Sequence, residues 1–161
     1  MKSRIFHTES EEETIALGEK LATEFPAKAA VLLIGNLGAG KTTLAKGIVK
    51  GLGAADPAEV SSPTFTLIHE YSPGVHEYSP GVHEYSPGVY HIDLYRLETP
   101  AEAATLGLDE IFDRDAVVLI EWGEKFLPLM PEDRIEIRLR ATGENSREIE
   151  VVEHQEAAFA S

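Results

Sequence analysis

Gly35-Asn36-Leu37-Gly38-Ala39-Gly40-Lys41-Thr42 is the stretch whose reading decides the fold. Its pattern, Gly-x4-Gly-Lys-Thr, is that of a loop that wraps phosphate. Glycines let the backbone curl so tightly that consecutive N–H groups point at one anion, and a helix starting behind the loop adds a favourable field. In such a loop the lysine supplies a cation to the β- and γ-phosphates and the threonine hydroxyl ligates Mg2+. Lys41 and Thr42 hold those two positions. The flanks agree. Ala30-Val31-Leu32-Leu33-Ile34 is an unbroken apolar run, as expected of a strand buried on both faces, and Leu44, Ile48, Val49 and Leu52 form the stripe of a helix that stops near Gly53. A glycine-rich turn of another kind has no need of that strand and helix, so the segment reads as an ATP- and magnesium-binding loop.

Working outward, Ser3 to His7 reads as a short strand, and Ser10-Glu11-Glu12-Glu13 as a capping box with Ser10 as N-cap. The helix behind it places Leu17, Leu21 and Phe25 on one face, and Pro26 ends it. Thr64 to Tyr71 and Tyr90 to Leu97 read as strands. Thr99-Pro100-Ala101-Glu102 is a second helix start, with Thr99 capping and Pro100 at the first helical position. Ala116 to Ile120 is a second buried apolar strand. Ile135, Ile137 and Leu139 alternate with charged residues, Ala141 to Ser146 turn, and Ile149 and Val151 return, which predicts an antiparallel hairpin. The tail from Gln155 is expected to fray.

Between the two middle strands His-Glu-Tyr-Ser-Pro-Gly-Val occurs three times without change, starting at His69, His76 and His83. A seven-residue period invites a coiled coil, but Pro and Gly in every copy forbid a helix. Ser72-Pro73-Gly74-Val75 instead fits a type II turn. One copy reads as an ordinary hairpin connection and the others as an insertion from tandem duplication, since lengthening a loop is thermodynamically mild. Flexible turns separate the three histidines and give them no acidic or thiolate companion geometry, so duplication, not metal binding, accounts for their spacing.

Composition bounds the rest. The 161 residues are 43% hydrophobic, enough for one domain with a real core. Fourteen basic against 28 acidic residues leave a net charge of −14, which repels polyanions and argues against a large nucleic-acid footprint. Cysteine is absent, which removes disulfides and thiolate metal sites. No apolar run reaches the length of a bilayer span and Met1 to Phe6 carries no signal-peptide core, so the expectation is a soluble cytoplasmic protein without membrane partners.

A phosphate loop needs a second acid for magnesium, directly or through water, and two residues qualify. Glu121 follows Val117-Val118-Leu119-Ile120 at a strand's C-terminal end, and Asp93 lies within the strand-like His91-Ile92-Asp93-Leu94. Ser61-Ser62-Pro63-Thr64-Phe65 falls where many such proteins carry a switch whose threonine senses the γ-phosphate. Alone it is an ordinary loop.

Taken in order, Gly-Asn-Leu-Gly-Ala-Gly-Lys-Thr-Thr (35–43), Ser-Pro-Thr-Phe-Thr-Leu (62–67), Tyr-His-Ile-Asp-Leu-Tyr-Arg-Leu (90–97) and Glu-Trp-Gly-Glu (121–124) resemble the TsaE family, in older usage the YjeE-type ATPases. The resemblance runs from about Glu11 to the C-terminal hairpin. It implies an α/β fold, a P-loop NTPase-like three-layer sandwich whose mixed central sheet includes antiparallel strands, in a single domain over residues 1–161. It implies a weak, partner-dependent ATPase needed for threonylcarbamoyladenosine at tRNA position 37. Its partners would be TsaD, which performs the transfer, and TsaB, with tRNA met only indirectly through their complex; ATP hydrolysis would reset that complex.

Position by position, the resemblance makes Lys41 the phosphate-binding lysine, lines the phosphates with Leu37, Gly38, Ala39, Gly40 and Thr43, and makes Thr42 and Glu121 the magnesium ligands. Asp93 corresponds to an aspartate needed for hydrolysis, Trp122 to a sensitive tryptophan beside the nucleotide and Thr64 to the switch threonine. Glu11 and Ser146 fall where the family meets the adenine end of ATP or ADP. The triplicated heptad departs from the pattern, with two copies extra. Disorder, an extended hairpin and contacts between copies of the chain all remain open for it. The nucleotide site is expected to survive its removal: deleting Val75 to Gly88 leaves ATP affinity in place, and a collapse would overturn that. Two other functions stay in view, a P-loop small-molecule kinase and a non-hydrolysing adaptor. A kinase lid would carry arginines, whereas Arg134, Arg138, Arg140 and Arg147 fall on the predicted hairpin.

Overall fold

The computed structural model describes residues 2–63, 67–71 and 88–154. Its strands are β1 (Lys2–Thr8), β2 (Ala29–Ile34), β3 (Ile68–Tyr71), β4 (Gly88–Asp93), β5 (Ala116–Glu121), β6 (Arg134–Ala141) and β7 (Arg147–His154). Its α-helices are α1 (Glu11–Ala22), α2 (Lys41–Gly51), α3 (Pro100–Ala104) and α4 (Leu108–Phe112). The strands form one mixed sheet in the order β1-β7-β6-β2-β5-β4-β3. The four central strands β6, β2, β5 and β4 run parallel, while β7, β1 and β3 add antiparallel edges. This is the P-loop NTPase-like α/β arrangement that the resemblance implies.

Strand alternation divides the core between the two faces of this sheet. Val31, Leu33, Val117, Leu119, Ile135, Ile137 and Leu139 meet Leu17 and Leu21 of α1 and Leu44, Ile48 and Val49 of α2. On the other face Leu32, Ile92, Val118 and Ile120 meet Ala103 of α3, Leu108 and Ile111 of α4, and Phe126 and Met130. The first two helices pack unusually closely, because Gly18 and Gly47 meet at their crossing. A Cβ added to Gly47 would stand 2.0 Å from the Ile15 carbonyl oxygen.

Local chemistry explains where elements stop. Ser10 caps α1 through its hydroxyl, which accepts the Glu13 N–H at 3.1 Å. The expected capping box is displaced by one residue: the Glu13 carboxylate accepts the Glu9 N–H at 3.0 Å. The helix ends at Ala22, short of the Pro26 stop, and Phe25 packs against the core from the following turn. Thr99 and Glu102 do form the full box at α3. The strand expected over Tyr90 to Leu97 ends at Asp93, because the Asp93 carboxylate accepts the Tyr95 N–H at 2.8 Å and turns the chain. The strand expected from Thr64 starts only at Ile68, preceded by Leu67 at φ 71°. Of the triplicated heptad, His69 to Tyr71 belong to β3 and Gly88 to Val89 to β4; the turn at 72–75 and the rest of the repeat lie outside the described residues, as does the tail from Gln155. No helix among the described residues is long and apolar enough to cross a membrane.

Candidate nucleotide site

The parallel pairing of β4, β5 and β2 brings their C-terminal ends to one edge of the sheet. That edge is where an open parallel sheet binds ligands. The loop from Gly35 to Gly40 leaves β2 there and opens α2, with Gly40 at its N-cap. Gly40 takes φ 101°, a left-handed backbone that a side chain would strain. The Leu37 side chain is largely exposed, while Ala39 is buried beneath the loop.

Lys41 is buried, and its ammonium donates to the Gly35 carbonyl at 2.7 Å. The same Nζ lies 3.7 Å from the centroid of the Trp122 ring. Burial pulls the lysine below its ordinary pKa, opposed by Glu121, Glu124 and Asp93 around it. Trp122 itself follows β5 at φ 64°, a conformation sparsely populated outside glycine. Its ring tilts against Tyr95 at 5.2 Å between centroids. The backbone thus turns sharply just where the indole must reach the lysine.

Two carboxylates flank the loop. Asp93 and Glu121 are direct register partners across β4 and β5, and both are buried. Asp93 therefore sits at a strand end and not inside a strand as the sequence suggested. Its Oδ1 accepts the Tyr95 N–H and its Oδ2 accepts the Ser62 hydroxyl at 3.0 Å. Glu121 Oε2 accepts the Thr42 hydroxyl at 3.4 Å and bonds His91 Nε2 at 2.6 Å. Oxygens at neighbouring corners around Mg2+, each about 2.0–2.1 Å from the metal, lie ~3 Å apart. The Thr42 and Glu121 oxygens already stand near that spacing, so the pair fits the ion. No cluster of three or more His, Asp or Glu side chains able to enclose a metal by themselves occurs among the described residues.

Glu124, the last residue of the Glu-Trp-Gly-Glu run, carries an oxygen that is buried with no hydrogen-bond partner among the described residues, and burial pushes its carboxyl above the ordinary value against the pull of its own backbone and Lys41. From β7, separated from β2 by β6 alone, Arg147 donates through Nε to the Ala39 carbonyl and through Nη2 to the Gly38 carbonyl, both at 3.0 Å. Its Nη1 holds the turn that precedes it, donating to Ser146, Gly143 and Glu144.

The structure thus assembles Lys41, Thr42, Asp93, Glu121 and Trp122. Thr43 follows in the first turn of α2. Glu11 is exposed at the start of α1, with no bond to the loop, and the Ser146 hydroxyl pairs with Thr142 at 2.9 Å. Thr64 lies outside the described residues. Sequence reasoning quoted Ser62, His91 and Arg147 within larger segments but gave none of them a place in the site. His91 shares a strand face with Asp93 two residues on, which strand alternation could have revealed. Arg147 gives no local signal, since its partners are 108 and 109 residues away.

A glycine loop between a parallel strand and a helix, with an acid ending the next parallel strand, makes this a P-loop NTPase-like fold. Within that class the chain belongs to the TsaE family: the family's sequence profile, described as "Threonylcarbamoyl adenosine biosynthesis protein TsaE", matches residues 8–149. The chain is 40% identical over 150 residues to the tRNA threonylcarbamoyladenosine biosynthesis protein TsaE of Bacillus subtilis, covering 92% of this chain and 85% of that one. It is 40% identical over 144 residues to the protein of the same name from Nostoc sp., covering 87% and 80%. The crystal structure of Bacillus subtilis YdiB superposes with a TM-score of 0.74 at 31% identity, covering 98% of this chain and 89% of that one.

Proposed function

We propose that this chain is the ATP-binding and ATP-hydrolysing component of threonylcarbamoyladenosine synthesis at tRNA position 37, working on a TsaD–TsaB complex in the cytoplasm. The observation that carries the ATPase reading is the pairing of Asp93 and Glu121 at adjacent strand ends, with Glu121 3.4 Å from Thr42.

The loop N–H groups and the α2 N-terminus bind the β-phosphate, and Lys41 moves from the Gly35 carbonyl to the phosphates. Thr42 and Glu121 would hold magnesium, which when bound would supply positive charge to offset that of the phosphates. Asp93 orients the attacking water, its own position fixed by Tyr95 and Ser62. Ser62, two residues before Thr64 in the sequence, donates to this carboxylate. Trp122 keeps Lys41 close to the loop. The net charge of −14 suits a protein that meets tRNA through partners.

The hairpin arginines disfavour a kinase. Arg134 and Arg138 bond Glu136, Arg140 bonds Glu148, and Arg147 bonds the loop backbone. None is poised to close over a transferred phosphate. Phosphate release with TsaD and TsaB present and absent, for wild type and Asp93→Ala, tests the proposal. Stimulation by partners that the variant loses supports it; transfer to a metabolite supports a kinase, and no release at all supports the adaptor.

A further inference from the structure

Among the described residues of the site, His91 makes the shortest hydrogen bond. It lies on β4, wholly buried, and its Nε2 meets Glu121 Oε2 at 2.6 Å. That is the range of a charge-assisted hydrogen bond, shorter than the ordinary N–H···O spacing of about 2.9 Å. Its other ring nitrogen, Nδ1, is buried and has no hydrogen-bond partner among the described residues. A proton on Nδ1 would be an unpaired buried donor, and Nε2 would then face a carboxylate with no hydrogen between them. The ring proton therefore sits on Nε2 and is committed to Glu121.

The consequence is geometric. A glutamate at a strand end has three rotatable bonds, and the Thr42 hydroxyl at 3.4 Å holds it only weakly. His91 is locked in the sheet between β3 and β5, with His69 and Leu119 as its register partners. One bond from a rigid ring thus fixes the Glu121 carboxylate through Oε2. Supporting bonds of this kind around a metal site are worth about 10- to 100-fold in metal affinity.

We propose that His91 is a positioning residue that holds the Glu121 carboxylate in place for the divalent cation. The inference rests on Glu121 being a magnesium ligand, as read above. The measurement is ADP affinity by calorimetry in magnesium and again in excess EDTA, their ratio giving the gain due to the metal. His91→Leu, close in volume but without a donor, lowers that gain about tenfold while leaving affinity in EDTA unchanged. His91→Gln, whose amide reaches as far as Nε2, restores most of it. Should the leucine variant not fold, His91→Asn, with an amide too short to reach Oε2, reads the same loss.

An unaltered magnesium gain in a folded variant lacking the donor overturns the proposal. So does an equal fall with and without magnesium, which marks a purely structural role. Glu121→Gln run in parallel separates the layers. If it abolishes the gain while His91→Leu does not, only the role of His91 fails; if it keeps the gain, Glu121 is no ligand and both readings fall.

Discussion

Truncating Arg147 is the sharpest test of how the phosphate loop keeps its shape. Two of its five hydrogen bonds go to the loop, at 3.0 Å each, and three to the turn of the β6–β7 hairpin. Bonds from a charged donor contribute about 1.5–3 kcal/mol when shielded and less in water. Ala39 is buried and Gly38 exposed, so the loop share comes to about 2–3 kcal/mol, toward the low end for Gly38. At 1.4 kcal/mol per factor of ten, Arg147→Ala weakens ADP binding by roughly 30- to 140-fold if the whole loss falls on binding, and by less if the freed turn relaxes to share it. Calorimetry at fixed magnesium and salt measures it, with a thermal melt to show that the sheet persists. Arg147→Lys keeps the charge but offers no fork to bridge two carbonyls, and falls between. ADP affinity within about twofold of wild type for Arg147→Ala would refute the idea that the hairpin braces the loop.

Gly47→Ala drives a methyl to within 2.0 Å of the Ile15 carbonyl, and overpacking of this kind costs about 1–3 kcal/mol; a melting temperature lower by roughly 2–10 °C is expected from calorimetric scans. Trp122 is the chain's sole tryptophan and lies 3.7 Å from the Lys41 ammonium, so nucleotide that draws the lysine away changes its emission; a titration with ATP shows the change in wild type and not in Lys41→Ala. Burial would raise the Glu136 carboxyl, but hydrogen bonds from Arg138, Arg134 and His154 outweigh it and hold it below its ordinary 4.5. A depressed acid stabilises the fold above pH 4.5, and that contribution is lost as pH falls through the folded value. Denaturant unfolding of Glu136→Gln against wild type therefore shows a difference at pH 7 that shrinks on acidification below 4.5.

What the sequence disclosed and what it withheld follow from the range of the interactions. The phosphate loop, β2, β5 and the Thr99 cap are local signals, a few residues of fixed chemistry in a row, and each stands where the residues predict. The strand ends were harder. Tyr90 to Leu97 has strand composition throughout, and it is the Asp93 side chain, bonding two residues ahead, that breaks it. The links that make a site of these parts span the chain: His91 to Glu121 across 30 residues, Ser62 to Asp93 across 31, Arg147 to the loop across more than a hundred. They exist only once strand order is fixed, and no periodicity announces that order.

The boundaries of β3 and β4 fall inside the triplicated heptad: β3 closes on the first three residues of one copy and β4 opens on the last two of another. Because the copies are identical, removing any fourteen consecutive residues from within the repeat yields one and the same chain, with His-Glu-Tyr still leaving β3 and Gly-Val still entering β4. Gain or loss of whole copies is therefore invisible to both strands. Replication slippage can lengthen or shorten this connection in sevens while the residues paired across the hairpin, and the two acids beyond it, keep their identities.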